Sequence, residues 1–202
     1  MADLVVGFDL DMTLVDSRPG ISAVLTQLNA ESGYGIDVDA AVAMLGPPLD
    51  QLLAPYIGDS DRLIAAVERY RTLYPSVAIT STVLLPGARE SMEAVHHLGG
   101  RVLVLTGKFE SNALLHLQAL DLPYDRLAGA RWADGKTQVL REESAAVYVG
   151  DHAGDMRSAK AADATAIGVP TGGLSARELT EAGADLVLDS LTALPAWLSA
   201  NL

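Results

Sequence analysis

Short apolar runs recur along the chain, separated by longer stretches in which apolar and polar residues alternate with helical spacing. "LVVGF" (4–8), "RVLVLT" (101–106) and "AAVYVG" (145–150) are continuous runs of β-favouring residues. That pattern predicts strands buried on both faces. "ATAIGV" (164–169) and "ADLVLD" (184–189) are weaker versions, and "DRLAGA" (125–130) predicts one more short strand. Helices are expected between them. "PGARESMEAVHHLGG" starts at Pro86 and stops at Gly99 and Gly100, a usual start and stop signal. Leu114, Leu115, Leu117 and Leu120 give the next helix an apolar stripe. "DMRSAKAAD" and "LSARELTEAG" are short Ala-rich helices, and in "SLTALPAWLSANL" Pro195 is expected to limit the last one.

Residues 17 to about 85 break this rhythm. "SRPGISAVLTQLNAESGYG", "LDQLLAPYIG" and "SDRLIAAVERYRTLY" read as three helices, the first begun by Pro19 and ended by Gly33. The sole strand candidate is "VAIT" (77–80). Strands alternating with helices imply right-handed crossovers and a parallel sheet. The expected fold is therefore α/β, a Rossmann-like parallel sheet with helices on both faces. A small α-helical cap domain (17–85) is inserted into a core domain made of residues 1–16 and 86–202.

Composition narrows the chemistry. The 202 residues include no cysteine, which excludes thiolate metal sites and Cys nucleophiles. The net charge of -12 and the lack of a basic run argue against nucleic acid. No apolar run approaches membrane-spanning length and no signal-type segment is visible, so no membrane partner and a cytoplasmic location are expected. Aromatic residues make up 5%, and an apolar mass of mainly Ala, Val and Leu suits helices packed on a sheet.

Polar residues then fall where ligands bind in such sheets, beyond the carboxyl ends of strands. The first strand runs into Asp9, Asp11 and Thr13, and the next into Thr106, Gly107 and Lys108. A third runs into "GDHAGD", with Asp151 and Asp155, and Lys136 in "ADGKTQVL" follows the short strand. Asp9 and Asp151 offer hard oxygen ligands for Mg²⁺. A carboxylate can attack phosphorus, and a second one nearby can carry the proton of the leaving oxygen. Thr106, backbone N–H groups and Lys136 can hold phosphoryl oxygens.

With "DLDMTLVDS", Thr106, Lys136 and "GDHAGD" in that order, the chain resembles the haloacid dehalogenase-like (HAD) hydrolase superfamily. The likeness is to its phosphatases with a helical cap inserted after the first motif. The resemblance implies Asp9 as nucleophile and metal ligand, and Asp11 as general acid/base with its backbone carbonyl on the metal. It implies Asp151 as a direct metal ligand, Asp155 as support for the metal or for Lys136, and Thr106, Gly107 and Lys136 as phosphoryl ligands. Dehalogenase members lack the second aspartate, so Asp11 favours phosphoester hydrolysis. The phosphonatase type uses a cap lysine, and no lysine lies between Asp16 and Pro86. The cap resembles that of phosphoglycolate phosphatases, with Gly46, Pro47 and Pro48 at the substrate loop.

The expectation is a Mg²⁺-dependent phosphatase of a small phosphorylated metabolite, acting through an aspartyl-phosphate, as a monomer or homodimer. A phosphomutase and a phospho-accepting regulatory module are the alternatives. Asp16 marks the exit into the cap. Lys108 reads as a solvated helix-start residue, Lys160 as surface, and His152 as supporting or solvent-facing. His116 carries no partner signal. Arg18 and Arg71 could touch a leaving group, or Arg71 could brace cap helices.

Overall fold

The computed structural model describes residues 4–202. Six parallel strands form one sheet in the order β5-β4-β1-β6-β7-β8. They are β1 (Val5–Phe8), β4 (Arg101–Leu105), β5 (Arg126–Ala128), β6 (Val147–Gly150), β7 (Thr165–Gly168) and β8 (Leu186–Val187). All six lie within the apolar runs that predicted them.

The two-residue period of a strand sends alternate side chains into two separate cores. Val6, Phe8, Val102, Val104, Val147, Val149 and Ile167 enter one. It is covered by α5 (Ala88–His97), α6 (Glu110–Ala119) and α10 (Leu194–Asn201). Val5, Leu103, Leu105, Tyr148 and Ala166 enter the other. That face is covered by α7 (Asp134–Glu142), α8 (Ala153–Ala161) and α9 (Ala176–Glu181). This double burial is why the strands read as unbroken apolar runs.

A third cluster is made wholly of residues between Ile21 and Ile79. It joins α1 (Arg18–Ser32), α2 (Val38–Ala43), α3 (Leu49–Leu53) and α4 (Ser60–Val77). Pro19 lies in the first turn of α1, and Gly33 closes that helix at φ 63°, a left-handed value that glycine adopts without a Cβ penalty. The chain leaves and re-enters the sheet region through a short antiparallel ribbon. Its strands are β2 (Val15–Asp16) and β3 (Val83–Leu84), with Val15 opposite Leu84.

Several local expectations change. "VAIT" forms no strand: Val77 ends α4, and Ile79–Ser81 is a 3₁₀ turn. Ala78 is fully buried there, close against Gly20 of α1, so packing overrides the β-branched residues' preference. Helix α2 was not anticipated; the Asp37 side chain caps it, accepting from Ala40 N at 3.0 Å. Pro195 sits in the first turn of α10, where its missing N–H costs nothing, so it starts that helix rather than limiting it. On α6 the fully buried face carries Asn112, Ala113, His116 and Leu117, while Leu114 and Leu115 are half-buried. Among the described residues, no helix is long and apolar enough to cross a membrane.

Candidate active site

The carboxyl ends of β1, β4 and β6 lie side by side, and a cavity of about 280 Å³ opens above them, roofed by the helical insert. After β1 the backbone stays paired for one more step, Asp9 N donating to Val149 O at 2.9 Å. It then winds tightly: Thr13, Leu14 and Val15 N–H groups all donate to Leu10 O. Met12 takes a left-handed φ of 61° to make the turn. The winding puts Asp9 and Asp11 at the cavity floor and keeps Leu10 and Leu14 in the core.

Asp9, Asp151 and Asp155 converge. One carboxylate oxygen from each lies within 4.8 Å of the others, and all three residues are buried. Lys136, in the first turn of α7, reaches Asp9 Oδ1 at 2.9 Å and Asp155 Oδ1 at 2.6 Å. Asp155 also accepts from Tyr148 Oη at 3.3 Å and from His152 N at 3.1 Å, which fixes it at the start of α8. Thr13 Oγ1 donates to Asp151 Oδ1 at 3.0 Å. Gly172 closes the far side, and a Cβ there would overlap Asp151 Oδ2.

Crowding shows in the acidities. Burial, and then the neighbouring Asp155 and Asp11 charges, raise Asp9 to about 7 despite Lys136. Burial and the Asp9 and Asp155 charges push Asp151 up as well. For Lys136, the flanking carboxylates outweigh burial and hold the ammonium charged. Three buried carboxylates with hard oxygens, too crowded to ionise together, are the donor set a small divalent cation satisfies.

Asp11 faces elsewhere. Its side chain leaves the cluster and meets Lys108 Nζ at 2.8 Å and the Ser17 hydroxyl. Burial alone would raise its pKa, but the Lys108 ammonium and Ser17 bring it below the ordinary carboxylate value. Lys108 is therefore not solvated. Its side chain is 8% exposed and its ammonium also donates to Tyr74 Oη at 2.7 Å. His116, expected to have no partner, is fully buried between Tyr74 Oη (2.8 Å from Nε2) and Thr82 Oγ1 (3.0 Å from Nδ1).

Thr106 is buried at the end of β4, its Oγ1 accepting from Lys108 N at 3.2 Å. Thr106 and Gly107 line the cavity, as do Gly46, Pro47 and Pro48 from the insert. Gly46 adopts φ 141°, and a Cβ there would lie 3.0 Å from the His152 ring. His152 is partly buried; it caps α8 and packs against Trp132 with ring centroids 5.3 Å apart. Arg71 lies at the cavity with its guanidinium 4.4 Å over the Phe109 ring. Arg18 pairs with Asp16 instead, and Lys160 pairs with Asp185 at the surface. Sequence reasoning missed Tyr74, Trp132, Tyr148 and Gly172 as contributors, because each owes its place to partners distant in the chain.

The profile of the family described as "Haloacid dehalogenase-like hydrolase" matches residues 6–169, a stretch that runs from β1 to just past β7. The chain belongs to the haloacid dehalogenase-like hydrolase family. This hydrolase is 29% identical to the "Probable phosphatase IndB" of Dickeya dadantii over 95% of this chain and 91% of that protein. It is 29% identical to a phosphoglycolate phosphatase of Caulobacter vibrioides over 94% of this chain and 88% of that one. A solved haloacid dehalogenase-like family hydrolase of Streptococcus pneumoniae shares the fold, with a TM-score of 0.83 at 24% identity over 98% of this chain and 99% of that one.

Proposed function

We propose that this hydrolase is a Mg²⁺-dependent phosphatase of small phosphomonoesters, phosphoglycolate-like ones among them, working through phosphorylated Asp9 in the cytoplasm. One observation carries the reading: Asp9, paired with the Lys136 ammonium at 2.9 Å, and a second carboxyl, Asp11, line one cavity together with Lys136 itself. The names of its phosphatase relatives support the substrate class.

In this reading Asp9 Oδ attacks phosphorus as the bond to the leaving oxygen breaks, and Asp11, a carboxylate in the resting site, first takes a proton from the incoming phosphomonoester monoanion or from water and then gives it to that oxygen. Asp11 then takes a proton from water as the water oxygen displaces Asp9 from phosphorus. Thr106, Gly107 and Lys136 hold the phosphoryl oxygens. The carboxylates of Asp9 and Asp151, with Asp155 in support and the Asp11 carbonyl, are the ligands suited to Mg²⁺. A bound Mg²⁺ supplies charge neutralisation for the carboxylates and the phosphoryl group. Residues 17–85 act as the lid over the core formed by 1–16 and 86–202. Its Gly46–Pro47–Pro48 turn meets the leaving group and excludes water.

The test is Asp9→Asn assayed by phosphate release from a panel of phosphorylated metabolites with Mg²⁺. Turnover should fall at least about a thousandfold, the scale seen when a nucleophile is removed, with the melting temperature unchanged. Retained turnover in a folded variant overturns the assignment. EDTA should abolish wild-type activity and added Mg²⁺ restore it.

A further inference from the structure

Two polar side chains deep in the cavity have no partner in the protein, and neither belongs to the sequence motifs. Tyr70 of α4 is 6% exposed, Asn112 of α6 is 4% exposed, and both line the cavity. Neither the Tyr70 hydroxyl nor the Asn112 amide makes a hydrogen bond to any described residue. Yet among those residues no side-chain nitrogen or oxygen sealed from solvent is left unpaired. Both groups therefore open on the cavity. Helical spacing explains the placement. Tyr74 and His116 bond to each other at 2.8 Å where the insert meets the core. Tyr70 and Asn112 lie four residues earlier, one turn away on the same faces of the same two helices. The Tyr70 and Tyr74 rings, 5.5 Å apart and tilted, pack together and steady the first of the pair.

A buried polar group without a partner destabilises the fold that carries it, so such a pair belongs where a ligand completes it. The wall around it is largely apolar, with Ile21, Leu49, Leu52, Phe109 and Trp132 lining the same cavity. Its cations are already engaged near the floor: Lys108 by Asp11, and Lys136 by Asp9 and Asp155. Arg71 is an exposed residue set over the Phe109 ring.

We infer that Tyr70 and Asn112 are the specificity-determining residues for the leaving group, and that they select an uncharged alcohol bearing a second hydroxyl or amide over a carboxylate. The inference rests on reading the site as a phosphatase and deepens it. A phenol and a carboxamide each give and accept hydrogen bonds, so a hydroxyl or amide of the ligand answers both roles at once. A carboxylate only accepts, which leaves the Asn112 oxygen without a donor. It also brings a charge to a part of the cavity whose lysines are taken, and an uncompensated buried charge costs more than an unpaired dipole. A plain alkyl group strands both side chains, and a site built to hydrogen-bond its ligand rejects the analogue that cannot reply. Phosphoglycolate is, on this account, a poor member of the substrate class.

The test uses three series of phosphate monoesters matched in length from two to five carbons: diol monophosphates with a terminal hydroxyl, the matching carboxylates beginning with phosphoglycolate, and plain alkyl phosphates. Steady-state kcat and KM are measured with Mg²⁺ for wild type, Tyr70→Phe, Asn112→Leu and Arg71→Met. At the length that reaches the pair, the wild type should favour the diol ester about 10-fold or more in kcat/KM over both matched esters. Tyr70→Phe and Asn112→Leu should each shrink the diol-to-alkyl ratio about 10-fold, chiefly through KM. Melting temperature gives an independent reading, because leucine in place of an unpartnered buried amide should leave the fold as stable or more so. Equal losses on diol and alkyl esters, or a lower melting temperature for Asn112→Leu, would show that the pair serves the fold and would overturn the inference. So would the lack of a diol preference at every length; a carboxylate preference that Arg71→Met abolishes would put the specificity contact on Arg71 instead. No phosphate release from any ester would overturn the phosphatase reading and this inference with it.

Discussion

His116 offers a stability measurement whose size follows from its surroundings. The imidazole is fully buried, and burial, with the Lys108 ammonium nearby, lowers its pKa from 6.5 to about 4; Asp11 opposes this only in part. In the unfolded chain the group titrates near its ordinary value. Between pH 6.5 and 4 the unfolded state therefore binds more protons than the native one, so stability rises with pH across that window. The contribution is complete above pH 6.5, about 2 kcal/mol of it is lost by pH 5, and on the order of 3 kcal/mol is lost below pH 4. Asp9 works in the opposite direction, because its native pKa is raised from 3.8 to about 7. The wild-type profile alone mixes the two. His116→Gln removes one and keeps the other, and a neutral amide can still accept from Tyr74. Urea unfolding of both proteins from pH 7.5 to pH 4.5 should show the wild type losing about 2 kcal/mol more than the variant. Parallel curves would mean that His116 is not held neutral in the native protein.

Three further outcomes follow from particular contacts. Gly172→Ala would drive a methyl into Asp151 Oδ2 and should raise the Mg²⁺ concentration for half-maximal activity about 10-fold to 100-fold, the usual scale for disturbing a ligand's support; an unchanged Mg²⁺ dependence would argue against Asp151 as a ligand. Lys136→Met strands Asp155 and Asp9 without their ammonium and should cost about 3–5 kcal/mol in urea unfolding with EDTA present; a cost below about 1 kcal/mol would contradict that pairing. Gly87 has φ 83°, and a Cβ there would overlap Thr192 N, so Gly87→Ala should lose about 2 kcal/mol or more of stability while activity per folded molecule stays at the wild-type level.

Much of the core was legible because burial on both faces writes itself into sequence as unbroken apolar runs. Val5–Phe8 and Val147–Gly150 needed no other signal. The polar residues that end those runs were legible for a related reason: Asp9, Thr106 and Asp151 each interrupt a run where the strand must stop. What stayed hidden depends on distant partners. Val15 pairs with Leu84 across the whole insert, and two-residue strands leave no periodicity to read. Lys108 and Lys136 both follow strand ends, so spacing alone could not say that both are held in the site. Their separate tasks come from Tyr74 on α4 and from Asp155 on α8. His116 looked like one more position on an apolar helix face because the hydroxyls that satisfy it lie 42 and 34 residues away. Gly172 is unremarkable in sequence, and its meaning is only the space it leaves beside Asp151.

The same partners explain how so acidic a chain can receive an anion. Asp9, Asp11, Asp151 and Asp155 meet two ammonium groups, Lys108 and Lys136, around one cavity whose lining carboxylates are mostly buried. Coulomb repulsion in such a place is far stronger than at the surface, and the protein answers it asymmetrically. Asp11 is held below the ordinary carboxylate range by Lys108, whereas burial, and then the neighbouring carboxylate charges, push Asp9 and Asp151 toward protonation despite Lys136. A divalent cation among the three crowded carboxylates would ionise Asp9, which a nucleophile requires, and bring the local charge near zero before a phosphate enters. That dependence places metal ahead of substrate: raising the phosphate ester without Mg²⁺ should leave Asp9 unphosphorylated, and a phosphorylated Asp9 formed in EDTA would break the argument at its first step.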